Sequence, residues 1–391
     1  MTPDPLKILV VSESWRPAPD SAATHLAERV DIWSDAGHDV TVVTGPGPAL
    51  DAPYELRRTG PTDGGRRGNL VSRLRQVSAF EQLAGAVEVE RPDVVLSSSP
   101  PIHAGTAGMR LAARHGVPHV LEVRDLWPES VRDLTPLGGW PLIRGIAHKT
   151  AAALSSADLI IAVTDAIAAH TKANPCCTCE VVTIPTGASA MFSQQTPSDS
   201  FRAALGLRNG PVVGYLGTLG RAQDVDAIAQ AARRLDAMGV GFLVVGGGRR
   251  AARLRKRLQG SGVVIERQRS RDAMPQYWAL CDVAIVALRS VPSLATAIPM
   301  KMYEGMAMGI PLVVSAPDGE ATKLAAQSGC GVAVDPGDGI AIANATIKLL
   351  EDAESRQACA AAGRMAASGL TRTMQARACL QALRTALDAS H

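Results

Sequence analysis

The chain has 391 residues, of which 46% are hydrophobic, 20% charged and only 3% aromatic, and its formal net charge is +3. This length predicts two domains, each large enough to bury a core of its own. The scarcity of aromatic rings argues against a surface that stacks nucleic-acid bases, and the nearly balanced charge argues against a protein that binds polyanions over its whole surface.

The first residues are polar and interrupted by Pro3 and Pro5, and no run of about 18 apolar residues occurs in the chain. We therefore expect no signal peptide, no membrane span and a cytoplasmic location. Cys176, Cys177 and Cys179 stand close together without a histidine at zinc-site spacing. We expect these three to be reduced thiols on a surface loop, and we expect no metal site.

Short runs of β-branched residues alternate with longer segments rich in Ala, Leu and Arg along the whole chain. The first set of predicted strands covers 7–11, 39–44, 92–97, 119–123, 158–163 and 180–184. The second set covers 211–217, 241–245, 263–265, 283–286 and 311–314. Near-continuous apolar strands separated by helices predict parallel sheets that are covered on both faces. We therefore expect an α/β protein with two doubly wound Rossmann-like domains that face a cleft.

The boundary between the two sets is marked by Pro185-Thr186-Gly187 and by the polar stretch 193–200. We place the first domain at 1–186, the second at 187–370 and a final segment at 371–391, within which a long helix is predicted from Met374 to Leu387.

Glycines follow the first strand of the second domain, in the pattern Gly214-x-x-Gly217-x-x-Gly220, and lead into a helix. Such a turn lets backbone amides approach an anion at the positive end of a helix, although glycine is common at any strand-to-helix turn. The phosphate-binding loop with a Gly-Lys-Ser/Thr ending is absent from the chain, and a G-x-G-x-x-G turn is absent after the first strand.

The segment 298–309 predicts a short helix between two strands, with Pro299 at its first position and Gly309 at its end. Lys301 and Glu304 are three residues apart and so share a face. A cation at the start of a helix can neutralise a diphosphate, and a carboxylate one turn later can accept two ribose hydroxyls. The alternative is an exposed ion pair between the two side chains.

The carboxylates of Asp224 and Asp226 open the helix after the glycine turn. We interpret them as a helix cap and a first-turn acid instead of metal ligands.

The chain resembles the family 4 retaining glycosyltransferases of the two-Rossmann GT-B architecture over nearly its whole length. The resemblance rests on the first strand and on motifs at 37–42, 184–187, 245–248 and 299–304. The Arg-Asp-Leu-Trp-Pro-Glu-Ser block at 124–130, Ser-Ser-Pro-Pro at 98–101 and the turn at 217–223 are similar to the bacterial N-acetylfucosaminyl- and N-acetylhexosaminyl-transferase subgroup.

The resemblance implies transfer of a hexose or N-acetylhexosamine from a nucleotide diphosphate donor, with UDP-N-acetylglucosamine favoured, to an acceptor hydroxyl with retention. The setting would be surface-glycan or antibiotic-type biosynthesis, and neither a metal nor a resident cofactor would be needed. The first domain would bind the acceptor, the second would bind the nucleotide sugar, and the final helix would return to the first domain.

The same resemblance implies the residues of the site. The donor would be bound by Gly217, Gly220, Gln223, Gly246, Arg269, Lys301 and Glu304. The catalytic residues would be Arg124, Asp125 and Lys301. The acceptor would be bound by Ser99, Trp127 and Glu129.

Several positions depart from the family pattern. A glutamate, a lysine and an arginine of the usual donor site are replaced by Thr296, Gln223 and Thr218, and the usual catalytic-loop histidine falls at Arg124. Lys301 is left as the expected cation on the diphosphate. Because these residues are missing, one alternative function is a catalytically inactive subunit that binds a nucleotide sugar. A UDP-N-acetylglucosamine epimerase, which shares the two-domain plan, is another alternative, although the block at 124–130 is foreign to it.

The first domain contains a basic segment at 57–75, with arginines at 57, 58, 66, 67, 73 and 75. In this family such patches can hold the enzyme on anionic membranes near a lipid-linked acceptor. An ordinary solvated loop and helix face is the alternative. The expected partners are therefore a nucleotide sugar, a small-molecule or lipid-linked acceptor and a membrane surface contacted through 57–75, without nucleic acid.

Overall fold

The computed structural model describes residues 4–18, 21–60, 70–134 and 140–389. The chain divides into two compact units, one formed by Met1–Thr186 with Arg372–His391 and the other by Gly187–Thr371. Each unit contains its own parallel sheet with helices between most of its successive strands, so the two doubly wound α/β domains expected from the sequence are confirmed.

The sheet of the first unit has the strand order β3-β2-β1-β4-β5-β6-β7. Its strands are β1 (Lys7–Ser12), β2 (Asp39–Thr44), β3 (Glu55–Arg58), β4 (Val94–Ser99), β5 (His119–Val123), β6 (Leu159–Ala162) and β7 (Glu180–Thr183). The helices that follow the strands are α1 (Ser21–Asp35), α2 (Leu70–Ala84), α3 (Ile102–His115), α4 (Glu129–Leu134), α5 (Trp140–Ser155) and α6 (Asp165–Lys172).

The sheet of the second unit has the order β10-β9-β8-β11-β12-β13. Its strands are β8 (Val212–Leu216), β9 (Gly241–Val245), β10 (Val264–Glu266), β11 (Val283–Ala287), β12 (Leu312–Ser315) and β13 (Gly331–Val334). Its helices are α7 (Asp199–Ala204), α8 (Val225–Ala237), α9 (Ala251–Arg257), α10 (Met274–Ala279), α11 (Met300–Met308), α12 (Glu320–Ser328), α13 (Gly339–Glu351) and α14 (Ala353–Ser368). Short 3-10 turns cover Arg271–Ala273 and Pro292–Thr296.

The last helix, α15 (Arg372–Asp388), packs on α1 of the first unit, as expected for the end of the chain. Its buried residues join the same hydrophobic cluster as Trp33, whose indole nitrogen donates to the carbonyl oxygen of Ala376 at 2.9 Å. Arg372 forms an ion pair with Glu28 at 2.5 Å. Burial of the apolar side of α15 in this cluster attaches the end of the chain to the first unit.

Two strands were not predicted from the sequence, and both lie at sheet edges. β3 is polar and alternates between exposed and half-buried residues, and β13 is partly exposed along its whole length. An edge strand pairs on one side alone and does not need the continuous apolar run by which the central strands were recognised.

β4 extends two residues beyond its predicted end because its serine hydroxyls have partners inside the unit. Ser97 is hydrogen-bonded to His119, and Ser98 donates to Glu122. Within the described ranges, no helix is both long enough and apolar enough to cross a membrane.

Candidate functional site

The glycine turn of the second unit is a close backbone contact between the ends of β8 and β9. Gly217 has a φ of +121°, which favours glycine, and a Cβ at Gly246 would lie 2.0 Å from the carbonyl oxygen of Gly217. These two positions therefore require glycine for the fold itself, whatever else they contact.

Most amides of this turn already have acceptors inside the unit. The N–H groups of Gly217 and Leu219 donate to the carbonyl oxygens of Val245 and Gly247, at 2.8 and 2.7 Å. The N–H of Gly220 donates to the side-chain oxygen of Gln223 at 2.8 Å. Among the described amides of this turn, that of Thr218 has no acceptor inside the unit. Three amides that the sequence made available to an anion are therefore already used by the fold, and Gln223 closes the turn.

Lys301, at the second position of α11, has its ammonium group buried without a hydrogen-bond partner among the described residues. Its Nζ lies 3.8 Å from the centre of the Tyr215 ring, and a Cβ added to Gly217 would be 3.3 Å from it. Burial lowers the pKa of Lys301 to about 7, against a smaller opposing effect of Glu304. The result is a cation beside the glycine turn whose charge is balanced only in part by a ring face.

Glu304 does not form the exposed ion pair with Lys301 that the sequence left open. Its Oε1 lies 3.0 Å from a guanidinium nitrogen of Arg271, and the same guanidinium lies over the Phe192 ring at 5.0 Å. The carboxylate is thereby held in place at the end of the turn that contains Lys301. A ribose would have to share it with Arg271.

Arg269, the remaining sequence-predicted donor residue, forms a surface ion pair with Glu266. Its side chain is 47% exposed. The structure therefore does not bring Arg269 into contact with Lys301 or Glu304.

Pro299 is also placed differently from the sequence-based expectation. It precedes the first helical residue of α11, while Gly309 ends the helix with a φ of +69°.

The Arg-Asp-Leu-Trp-Pro-Glu-Ser block of the first unit follows the carboxyl end of β5 and lines a cavity of about 190 Å³. The cavity brings together four residues that the sequence assigned to catalysis or to the acceptor, namely Ser99, Asp125, Trp127 and Glu129. Its polar lining also contains Thr150, His170, Thr171 and Asn174, which the sequence analysis did not single out.

Asp125 contributes a carboxyl group to this cavity. Burial raises its pKa to about 6, while hydrogen bonds from Ser130 and from the backbone of Leu126, and the nearby charge of Arg124, oppose the shift. A carboxyl group with a pKa near neutrality can take up and release a proton at physiological pH, which suits a general base.

His170 contributes a second titratable group to the cavity. Its Nε2 lies 3.5 Å from Oε1 of Glu129. The side chain reaches the cavity from α6, far along the chain from the block at 124–130. No spacing in the sequence connects the two segments, which is why sequence reasoning missed this histidine.

Arg124 points toward β4 and does not line the cavity. Its Nε donates to Ser98 Oγ and one terminal nitrogen donates to the carbonyl oxygen of Pro100, both at 2.7 Å. Ser98 in turn donates to Glu122, a fully buried carboxylate. A charged residue inside the apolar run of a predicted strand, Glu122, is the sequence signal for this cluster.

The remaining expectations concern metal sites and cysteines. Asp224 caps α8 by accepting from the amides of Asp226 and Ala227, which confirms its role as a helix cap. Within the described part of the chain, no three His, Cys, Asp or Glu side chains converge as metal ligands. The thiols of Cys176, Cys177 and Cys179 form no disulfide and lie on the loop between α6 and β7, as expected, with one side packed half-buried against a core cluster.

The basic segment at 57–75 lies only partly within the described residues. Arg57 is paired with Glu55 on the edge strand β3, and Arg58 donates to the carbonyl oxygen of Arg16 at 2.8 Å. Arg66 and Arg67 lie outside the described residues, and the side chain of Arg73 does too. The described arginines at the start of the segment therefore belong to the edge of the sheet.

Comparisons with known proteins agree with this architecture. The model of Glycosyltransferase Family 4 matches residues 22–190, and the model of Glycosyl transferases group 1 matches residues 210–352. A comparison with curated protein sequences returned no match.

Among solved structures, sucrose-phosphate synthase from Thermosynechococcus elongatus is similar, with a TM-score of 0.79, 20% identity and coverage of 98% of this chain and 99% of that one. Anabaena HepE, solved in complex with UDP and glucose, has a TM-score of 0.70 at 20% identity, covering 97% and 99%. WaaG, a glycosyltransferase of lipopolysaccharide biosynthesis, has a TM-score of 0.69 at 15% identity, covering 96% and 99%. One family model thus falls on each unit of a shared two-domain fold, and the chain is a family 4 glycosyltransferase of the GT-B type.

Proposed function

We propose that the protein transfers a hexose or an N-acetylhexosamine, with UDP-N-acetylglucosamine as the favoured donor type, to an acceptor hydroxyl with retention of anomeric configuration. The observation that carries the proposal is the buried, unpartnered ammonium of Lys301 beside the glycine turn. Such a group is costly to the folded protein unless an anion completes it. The solved HepE complex contains UDP and glucose, which supports UDP as the nucleotide.

On the donor side, negative charge develops on the β-phosphate as the bond to the sugar breaks. Lys301 and the amide of Thr218 would stabilise this charge from fixed positions in the fold, so little reorganisation is needed during the reaction. Glu304, held by Arg271, would accept hydrogen bonds from the ribose hydroxyls. The scheme uses no divalent cation.

On the acceptor side, the cavity of the first unit would hold the acceptor hydroxyl. Asp125 would orient that hydroxyl or accept its proton, because its pKa of about 6 leaves it ionised at neutral pH while keeping it basic enough to take up a proton. Ser99, Trp127 and Glu129 would line the rest of the acceptor site, and Arg124 would act on the sugar or the acceptor.

The donor assignment is tested by calorimetry with UDP on the wild type, Lys301→Met and the matched control Lys323→Met, whose lysine is exposed on α12 of the same unit. We expect Lys301→Met to lower the affinity for UDP and Lys323→Met to leave that affinity unchanged. Equal affinities of all three proteins would refute the assignment.

The alternatives differ in what they do to UDP-N-acetylglucosamine. A catalytically inactive binding subunit would bind the nucleotide sugar without cleaving the bond between UDP and the sugar. An epimerase would change the configuration of the sugar without an acceptor. Mass spectrometry of the products with candidate acceptors therefore separates them from a transferase.

A further inference from the structure

A buried chain of hydrogen bonds connects helix α1 to Arg124 within the first unit. Oε1 of Glu122 accepts from Arg29 at 2.7 Å, and its Oε2 accepts from Ser98 Oγ at 2.6 Å. Ser98 Oγ accepts in turn from Nε of Arg124 at 2.7 Å. A serine hydroxyl has one proton to donate, and here that proton goes to the carboxylate, so the lone pairs of Ser98 face Arg124.

The direction of these bonds is fixed because Glu122 stays ionised. Burial alone would raise its pKa, but the charges of Arg29 and Arg124 outweigh the effect and hold the pKa of Glu122 well below its usual range. His25 itself is neutral at pH 7, since burial lowers its pKa to about 4. Its Nε2 lies 2.8 Å from Arg29 and 3.1 Å from Oε1 of Glu122, and the neutral ring adds no charge to this ion pair.

The cluster also has a definite orientation relative to the cavity. Arg124 donates to Ser98 and to the carbonyl oxygen of Pro100, and its Nε lies farther from Glu122, 3.7 Å from Oε2. The next residue, Asp125, lines the cavity. Loss of the Ser98 hydroxyl would remove an acceptor from Arg124 and a donor from Glu122 at the same time.

We propose that Ser98 is a positioning residue for the transfer reaction, which fixes the guanidinium of Arg124 by linking it to the buried side chain of Glu122. The inference rests on the proposed function, because it requires Arg124 to act during transfer.

The neighbouring serine provides a matched control. Ser97 and Ser98 are consecutive in β4, are both completely buried and point to opposite faces of the sheet. Ser97 is hydrogen-bonded to Nε2 of His119 at 2.7 Å, on the face away from Arg124. Replacement of either serine by alanine removes the same atoms from the same strand.

The experiment measures UDP release from UDP-N-acetylglucosamine, UDP affinity and the thermal midpoint for Ser98→Ala, Ser97→Ala and Ser98→Thr. We expect Ser98→Ala to lower kcat roughly tenfold to a hundredfold, the range for one hydrogen bond to a charged group, with UDP affinity unchanged. Ser97→Ala should keep kcat close to the wild-type value, and Ser98→Thr, which retains the hydroxyl, should restore most of the activity.

A double-mutant cycle with Arg124→Ala tests whether Ser98 acts through that residue. In the Arg124→Ala background, Ser98→Ala should have little further effect on kcat. Equal losses in Ser98→Ala and Ser97→Ala, or a Ser98→Ala effect that persists without Arg124, would overturn the inference. A wild type that releases no UDP from any UDP-sugar would overturn the proposed function and this inference with it, whereas an active wild type with an equally active Ser98→Ala overturns the inference alone.

Discussion

Replacement of Lys301 by methionine should have two opposite effects, one on ligand binding and one on stability. The ammonium is buried against Tyr215 without a hydrogen-bond partner in the described structure. Methionine keeps a long apolar side chain but removes the charge. The variant should therefore lose affinity for UDP and gain stability at neutral pH.

The loss of affinity follows from the value of a hydrogen bond to a charged group, roughly 1.5–3 kcal/mol, which corresponds to a tenfold to hundredfold weaker UDP complex. The gain in stability follows from the pKa of Lys301, which falls from 10.5 to about 7 on folding. At about 1.4 kcal/mol per pKa unit, the buried charge costs the wild type roughly 3–5 kcal/mol near or below pH 7.

The pH dependence gives the effect a signature. Between pH 7 and 10.5 the unfolded wild type binds more protons at this lysine than the folded protein does, so the folded wild type becomes relatively more stable as the pH rises. The stability advantage of Lys301→Met should be largest at or below pH 7 and should shrink toward pH 10. UDP affinity of the wild type should fall over the same range, because the diphosphate binds the protonated form.

Denaturant unfolding and UDP calorimetry at several pH values, with Lys323→Met as the control, measure both effects. A variant that binds UDP as tightly as the wild type refutes the assignment of Lys301 to the diphosphate. If the difference in stability between Lys301→Met and the wild type does not change with pH, the claim that Lys301 is an unpaired buried charge is refuted.

Three further predictions concern the proposed donor and acceptor groups. Asp125→Asn should lower kcat by about 10²–10⁴-fold, as for loss of a general base, with UDP affinity nearly unchanged. The wild-type kcat should fall as the pH drops through about 6. A lower thermal midpoint, with activity in proportion to the folded protein, would instead indicate a structural role. Glu304→Gln should lower the affinity for UDP more than the affinity for inorganic pyrophosphate, because the carboxylate is assigned to the ribose. Equal losses of the two affinities in calorimetry would contradict this assignment. Excess EDTA should leave turnover nearly unchanged. A loss of activity that magnesium or manganese restores would refute stabilisation of the β-phosphate charge without a divalent cation.

The central strands of both sheets could be predicted because each is a nearly continuous apolar run. The polar edge strands β3 and β13 lack that pattern and were missed. The return of α15 to the first unit came from resemblance to a family, since the apolar stripe on that helix does not say which unit it covers.

For the candidate site, the sequence indicated residues but not the contacts that these residues make. The block at 124–130 was recognised as a motif, and the cavity does bring Ser99, Asp125, Trp127 and Glu129 together. The partner of Glu304 was not foreseen, because Arg271 lies in a different segment of the chain. The acceptors of the glycine-turn amides were not foreseen, because two are carbonyl groups at the end of the neighbouring strand β9 and the third is the side chain of Gln223.

The most direct test of the account is proton NMR of the sugar released when the wild type acts on UDP-N-acetylglucosamine, with water as the acceptor. The donor carries the sugar in the α configuration. The account predicts that UDP is released and that the free sugar first appears as the α anomer, before mutarotation, without added metal. Initial appearance of the β anomer would contradict retention, and the absence of UDP release from every UDP-sugar would contradict the proposed transferase activity itself.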